Sequence, residues 1–390
     1  MLTRRAFIGV GAFAAATRLS ASIPAWATRG ASSEVLTGPL SSATAYTAES
    51  GGWRVLPAWR ARRTFVLAGV SWTTGEPPGA IELRARRGGE PWSAWTPSPV
   101  HAGHGPDGRE RRATDPVWTG PANELQVRVR GRSSGLRAAA VAARPPAPRA
   151  RAAQAAPGPP GVTPRTSWGG DTVTPRDAPE LGDVQVAFVH HTVNANDYGP
   201  EESAAMVLAI ARYHRDVNGW DDLGYNFVVD RYGQVFEGRA GGMDQPVIGA
   251  QVQGFNHVST GIACLGTFGT EALAAPAVEA LARTIAWKLS VHGRPTSGPV
   301  VVRSRGGSEN RFQAGTDVTL DRVSGHSDGG KTECPGAALH AQLPDIRARV
   351  AAIGGTVPTS TVAGPPRLEA RLGARRVRAR GRGVRITGGR

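Results

Sequence analysis

The run Val184-Gln185-Val186-Ala187-Phe188-Val189-His190-His191 constrains this chain more than any other feature: a short, almost wholly apolar stretch that ends on two imidazoles. Its length and its β-branched and aromatic content predict a buried strand. Successive side chains on a strand point to opposite faces. Val184, Val186, Phe188 and His190 therefore share one face, and Gln185, Ala187, Val189 and His191 the other. Far downstream, His326 and Cys334 stand eight positions apart in Gly325-His326-Ser327-Asp328-Gly329-Gly330-Lys331-Thr332-Glu333-Cys334-Pro335-Gly336. The glycines and the proline let this connection curl so that both donors face one point. Imidazoles and a thiolate on short turns are what a Zn²⁺ ion needs, and two His with one Cys leave the fourth tetrahedral position open, as catalytic sites do. Adjacent strand residues rarely ligate one ion, so one histidine of the pair is expected to bind and the other to stand outside.

Around these donors, strand and helix signals alternate. Tyr225 to Asp230 and Gln234 to Glu237 read as a hairpin, and Thr260 to Gly266 as a further strand. Glu201 to His214 carries Met206, Ile210 and Tyr213 at helical spacing, and Ala277 to Val291 puts Val278, Leu281, Ile285 and Leu289 on one helix face. A last helix, Ala337 to Ile353, is expected to break near Pro344. The sum is an α/β domain, a mixed sheet flanked by helices. Residues 51–143 differ: short β runs separated by Gly/Pro clusters, with strict alternation in Glu124-Leu125-Gln126-Val127-Arg128-Val129-Arg130. They predict an all-β, sandwich-like domain. Its six tryptophans (Trp53, Trp59, Trp72, Trp92, Trp95 and Trp118) fill its core or stack on sugar rings. A flexible segment, 28–50, is expected before this domain, and a Pro/Ala-rich linker, 144–160, after it.

Pro164-Arg165-Thr166-Ser167-Trp168-Gly169, His190-His191-Thr192, Gly224-Tyr225-Asn226-Phe227-Val228-Val229-Asp230, Tyr232-Gly233-Gln234-Val235-Phe236-Glu237-Gly238-Arg239, Ser259-Thr260-Gly261-Ile262-Ala263 and the His326 to Gly336 segment follow one another in this order. Together they resemble the family of peptidoglycan-recognition proteins and type-2 N-acetylmuramoyl-L-alanine amidases, over residues 161–353. The resemblance implies zinc held by His190, His326 and Cys334, a catalytic Tyr225, and hydrolysis of the amide between N-acetylmuramic acid and L-alanine in peptidoglycan. It places Thr332 where competent members carry a Lys or Thr beside the attacking water, with Lys331 as a neighbouring alternative. His214 is expected at the cleft rim against substrate, and His191 as an outer partner of the metal or a substrate contact. The family also contains receptors that bind peptidoglycan without cutting it. These typically lack the cysteine ligand, which this chain keeps. Two departures stand out: Ser327 replaces the usual arginine after the second histidine, and Gln251 stands where relatives often have histidine. Asp328 is expected to orient His326 through its other ring nitrogen.

Compartment and charge complete the reading. Thr3-Arg4-Arg5-Ala6-Phe7-Ile8, a weakly apolar stretch and Ala25-Trp26-Ala27 predict a twin-arginine export signal over 1–27, too short in its apolar part to span a membrane. With no transmembrane segment after its removal, an extracellular or wall-associated protein is expected. Two cysteines cannot frame 390 residues with disulfides, and Cys264 is expected in the core. The net charge of +15 favours polyanions, which outside a cell means anionic wall polymers and not nucleic acid. Nine arginines against Glu369 alone in 367–390 predict a disordered basic tail, 354–390.

Overall fold

The computed structural model describes residues 30–40, 46–73, 79–99, 105–106, 112–131, 134–146 and 161–354. The expected signal, most of the linker and the arginine-rich tail lie outside the described residues.

The first domain is all β, as its alternation requires. Its strands are β1 (Ser32–Pro39), β2 (Thr47–Glu49), β3 (Trp53–Val55), β4 (Trp59–Trp72), β5 (Ala80–Arg86), β6 (Thr96–Pro97), β7 (Val117–Arg130) and β8 (Leu136–Arg144). They bond in the order β1-β8-β4-β7-β3-β2, with β5 joining β7 and β6 joining β5. The long β7 pairs with β4 through its first half and with β5 and β3 through its second, so the strands wrap one core. Leu125, Val127 and Val129 point into it beside Phe65, Ile81 and Leu83, each burial worth roughly 1.5–3 kcal/mol.

One expectation fails here. Residues 32–39, read as part of a flexible segment, form β1, which pairs along its whole length with β8. Only Val35 and Leu36 gave an apolar signal in SSEVLTGP; backbone pairing with β8 supplies the rest. The tryptophans also divide differently from either reading. Trp72 and Trp118 are buried, but Trp92 and Trp95 are roofed by arginine. The Arg84 guanidinium lies 4.3 Å from the Trp95 ring centroid and that of Arg86 4.3 Å from Trp92. Arg128 lies between Trp53 and Trp95, 4.6 Å from each. Trp53 is itself buried and Trp92 and Trp95 half-buried, each in cation–π contact with these guanidiniums.

The second domain runs β9 (Val162–Thr163), α1 (Arg165–Trp168), β10 (Val186–His191), α2 (Ser203–Asp216), β11 (Phe227–Val229), β12 (Val235–Glu237), β13 (Ser259–Cys264), α3 (Ala275–Val291), β14 (Pro299–Arg303), β15 (Asp317–Asp321), β16 (Val323–Gly325), α4 (His326–Gly329) and α5 (Ala337–Gly354). Its six-stranded sheet has the order β16-β10-β13-β11-β12-β9, parallel except between β11 and β12. Every residue of β10 is buried, as its apolar run requires. Ala187 and Val189 pack with Leu281 and Ile285 of α3 and Leu339 and Leu343 of α5; Val186 and Phe188 face the other way, onto Val252 and Phe255. The expected break at Pro344 does not occur, and α5 runs through it. The β14–β15 hairpin was not foreseen.

The two domains share a core. Leu67, Ala113, Trp118, Ala139 and Val141 of the first pack with Leu208, Ala211 and Tyr213 of α2, the same cluster that α2 forms with Val228 and Ala263 of the sheet. Tyr213 Oη donates to Thr114 O at 3.2 Å, Trp118 N to Asn194 Oδ1 at 3.1 Å, and Asn256 Nδ2 to Gly105 O at 3.0 Å. Position 69 must be glycine for this approach: a Cβ there would fall 2.2 Å from Tyr213 Oη. No helix among the described residues is long and apolar enough to cross a membrane.

Candidate metal centre

β10 delivers His190 at its carboxyl end, and α4 opens with His326 directly after β16, the strand beside β10. Cys334 follows on the loop before α5. One ligand atom from each lies within 4.8 Å of the others, and all three residues are fully buried. The loop closes tightly on the second histidine because position 330 is glycine; a Cβ there would stand 2.8 Å from His326 Nε2. The His190 and His326 rings are 4.7 Å apart at their centroids.

These donors fit a tetrahedral ion. With Zn–N near 2.0–2.1 Å and Zn–S near 2.3 Å, two such ligands of one ion stand about 3.5 Å apart. His190 Nδ1 and Cys334 Sγ are separated by 3.7 Å. Burial drives the His190 pKa down to about 3, against the hydrogen bond with Gln251, so the imidazole is neutral and has a lone pair to give. Burial pushes the Cys334 thiol well above its usual value. The His191 backbone N–H, 3.4 Å from Sγ, opposes that shift, and the charge of Asp115 from the first domain adds to it. A bound cation overrides such a shift, because a coordinating thiol is deprotonated outright. His190, His326 and Cys334 are the residues that would hold Zn²⁺.

The other expected site residues gather here with different tasks. The Tyr225 ring is 5.3 Å from that of His190, just ahead of β11, and nearly buried. Thr332 is half-buried, and its Oγ1 accepts the Cys334 N–H at 3.1 Å, which fixes the hydroxyl beside the ligand turn. Lys331 is exposed and its Nζ donates to Ser308 O, so of the two only Thr332 is turned to the site. His191 lies on the face opposite His190: its ring Nδ1 accepts from Phe268 N at 3.4 Å, and its backbone serves Cys334. These contacts suit an outer partner of the clustered donors.

His214 is a correction. Expected at the rim, it is buried; its Nδ1 accepts Gly224 N–H at 3.2 Å, and its ring packs on Trp220 at 4.4 Å and Tyr225 at 5.7 Å. It braces the loop that leads into Tyr225. Asp328 is a second correction. Its carboxylate accepts from Gly325 N at 2.8 Å and meets His340 Nε2 at 2.9 Å, bonding the turn and α5 rather than orienting His326. Asp115 and Asn256 were missed because their contacts cross between domains, which no local spacing signals. Gln251 left one sign, its place in a motif position where relatives often carry histidine.

Residues 180–337 match the family model described as N-acetylmuramoyl-L-alanine amidase, and residues 26–159 match the one described as Rv3811 N-terminal galactose-binding domain-like. Peptidoglycan-recognition protein SC2 of Drosophila simulans is 30% identical over 180 residues, 46% of this chain and 82% of that protein. An N-acetylmuramoyl-L-alanine amidase of Homo sapiens is 32% identical over 186 residues, 46% of this chain but 27% of that much longer protein. A solved structure, bumblebee PGRP-SA, is 27% identical and covers 48% of this chain and 95% of its own, with a TM-score of 0.36.

Proposed function

Because this chain belongs to the family of peptidoglycan-recognition proteins and N-acetylmuramoyl-L-alanine amidases, we propose that it is a zinc-dependent amidase that cuts between the lactyl group of N-acetylmuramic acid and L-alanine. The observation that carries this reading is the convergence of His190, His326 and Cys334 with their donor atoms within 4.8 Å. A zinc ion at such a site supplies Lewis-acid polarisation of the amide carbonyl and activates water.

The chain's own residues do the rest. Two neutral imidazoles and one thiolate leave a single positive charge at the centre, so the site keeps its attraction for a developing oxyanion. Tyr225 places a phenol beside His190, where its O–H donates to that oxyanion. The Thr332 hydroxyl, anchored by the Cys334 N–H, hydrogen-bonds the attacking water and holds it toward the carbonyl. Low exposure of the ligands keeps bulk water from weakening these interactions.

Mass spectrometry of digested peptidoglycan tests the reading: free stem peptides beginning with L-alanine are expected, and cleavage at any other bond overturns it. A second reading, binding without cleavage, draws on the complete burial of all three ligands. It predicts retention on peptidoglycan with no released peptide. Since the substrate lies outside the cytoplasm, we further propose export by the twin-arginine route from the Arg4-Arg5 segment. Export that persists in an Arg4→Lys, Arg5→Lys double variant would exclude it.

A further inference from the structure

We propose that Gln251 is the positioning residue that fixes which nitrogen of His190 faces the metal. The inference rests on His190 being a ligand, and deepens that reading.

The carbonyl of Phe255 can only accept, and Ser259 Oγ donates to it at 2.8 Å. With its one proton committed, that oxygen is left to accept, and Gln251 Nε2 donates to it at 2.8 Å. The amide is thereby oriented, and its Oε1 meets His190 Nε2 at 2.6 Å. An amide oxygen accepts only, so the ring proton of the neutral imidazole sits on Nε2. The lone pair is then on Nδ1, the nitrogen 3.7 Å from Cys334 Sγ. The sequence Phe255 carbonyl, Ser259 hydroxyl, Gln251 amide, His190 imidazole has one direction throughout, and it ends by presenting a donor atom to the cation. This is the service that outer partners give to ligating histidines generally.

The surroundings hold Gln251 in this pose. Its side chain is fully buried. Its backbone N–H, at 2.8 Å, and that of Val252, at 3.0 Å, both donate to Asn256 Oδ1, which fixes the start of the side chain. Gly261 of β13 clears the space: a Cβ there would lie 2.5 Å from Gln251 Cγ. Asn256 is itself tied to the first domain through Gly105 O.

The test has two independent readouts. Nitrogen-15 NMR of metal-free protein labelled at histidine, with His190 assigned by its loss in His190→Asn, is expected to show a protonated Nε2 and a bare Nδ1. A proton on Nδ1 overturns the proposal, and this measurement stands whether or not zinc binds. Chelator competition then gives zinc affinity. Gln251→Leu is expected to bind about 10–100-fold more weakly than wild type, while Gln251→Glu, which still offers an acceptor to Nε2–H, stays within about threefold. Equal loss in both variants, or no loss in a folded Gln251→Leu, overturns the positioning role. Failure of the wild type to bind zinc, with the expected NMR pattern intact, would count against the metal reading and leave the tautomer assignment standing.

Discussion

Cys334 is the residue on which the centre most depends, because it supplies the one anionic donor among the three. Cys334→Ser is expected to lower zinc content, measured by elemental analysis, and to abolish cleavage while the fold persists; full activity in the metal-free variant would remove the zinc mechanism. Tyr225→Phe is expected to keep zinc and lose roughly 10²–10³ in turnover, the cost of deleting one oxyanion donor. A change below about twofold would make the tyrosine structural. His190→Ala should cost far more metal affinity than His191→Ala, since the two rings lie on opposite faces of β10 and only the first is among the clustered donors.

The same histidine sets an acid limit on the metal-free protein. Its folded pKa, about 3, lies below the usual value of 6.5, so the unfolded chain binds more protons between those limits. Stability contributed by the neutral ring is complete above pH 6.5 and is lost as pH falls toward 3, at up to about 1.4 kcal/mol per pH unit. His292, lowered to about 4 by burial, adds to the trend. Urea melts at pH 7, 5.5 and 4.5 should show the decline, and His190→Asn should flatten it. The grouping of His190, His326 and Cys334, with Tyr225 beside it, was legible in the sequence because these residues lie in short, ordered motifs. The tasks of His214 and Asp328 were not, since both depend on which neighbours folding brings into contact.

At the scale of elements, legibility followed the strength of the local apolar pattern. β10 is a continuous apolar run, and α2 and α3 carry apolar residues at helical spacing, so their existence could be read directly. β1 could not, because an edge strand with two apolar residues is made by its partner. The β14–β15 hairpin likewise buries only Val302, Val318 and Leu320. The contact of β4 with α2 was equally invisible, yet it sets a sharp packing constraint. Gly69→Ala is expected to destabilise by about 1–3 kcal/mol through overpacking against Tyr213. Tyr213→Phe removes the nearest atom, so in a denaturation double-mutant cycle the two should be non-additive, with the pair less destabilised than the sum. Strict additivity would show that the strand yields at position 69 without touching the tyrosine.

For the molecule as a whole, the sequence marked two domains and the structure joins them through α2. Described residues of both domains contribute to one buried cluster, and hydrogen bonds cross at Ser33, Thr114, Trp118 and Gly105. Thermal unfolding of the whole chain is therefore expected to be a single transition with equal calorimetric and van't Hoff enthalpies. Residues 161–354 expressed alone should expose the apolar outer face of α2 and aggregate. Two well-separated transitions, or a soluble and monomeric 161–354, would show that the shared cluster is not cohesive.

A shared core also limits how such a gene can be cut and rejoined. A crossover within 147–160 would separate coding segments that look independent, but the product would carry Leu67, Trp118 and Val141 without their counterpart, or α2 without its cover. A foreign β domain could be accepted only with a glycine opposite Tyr213, a backbone N–H for Asn194 and a carbonyl for Asn256. What is inherited as a working unit is then the whole span from β1 to α5.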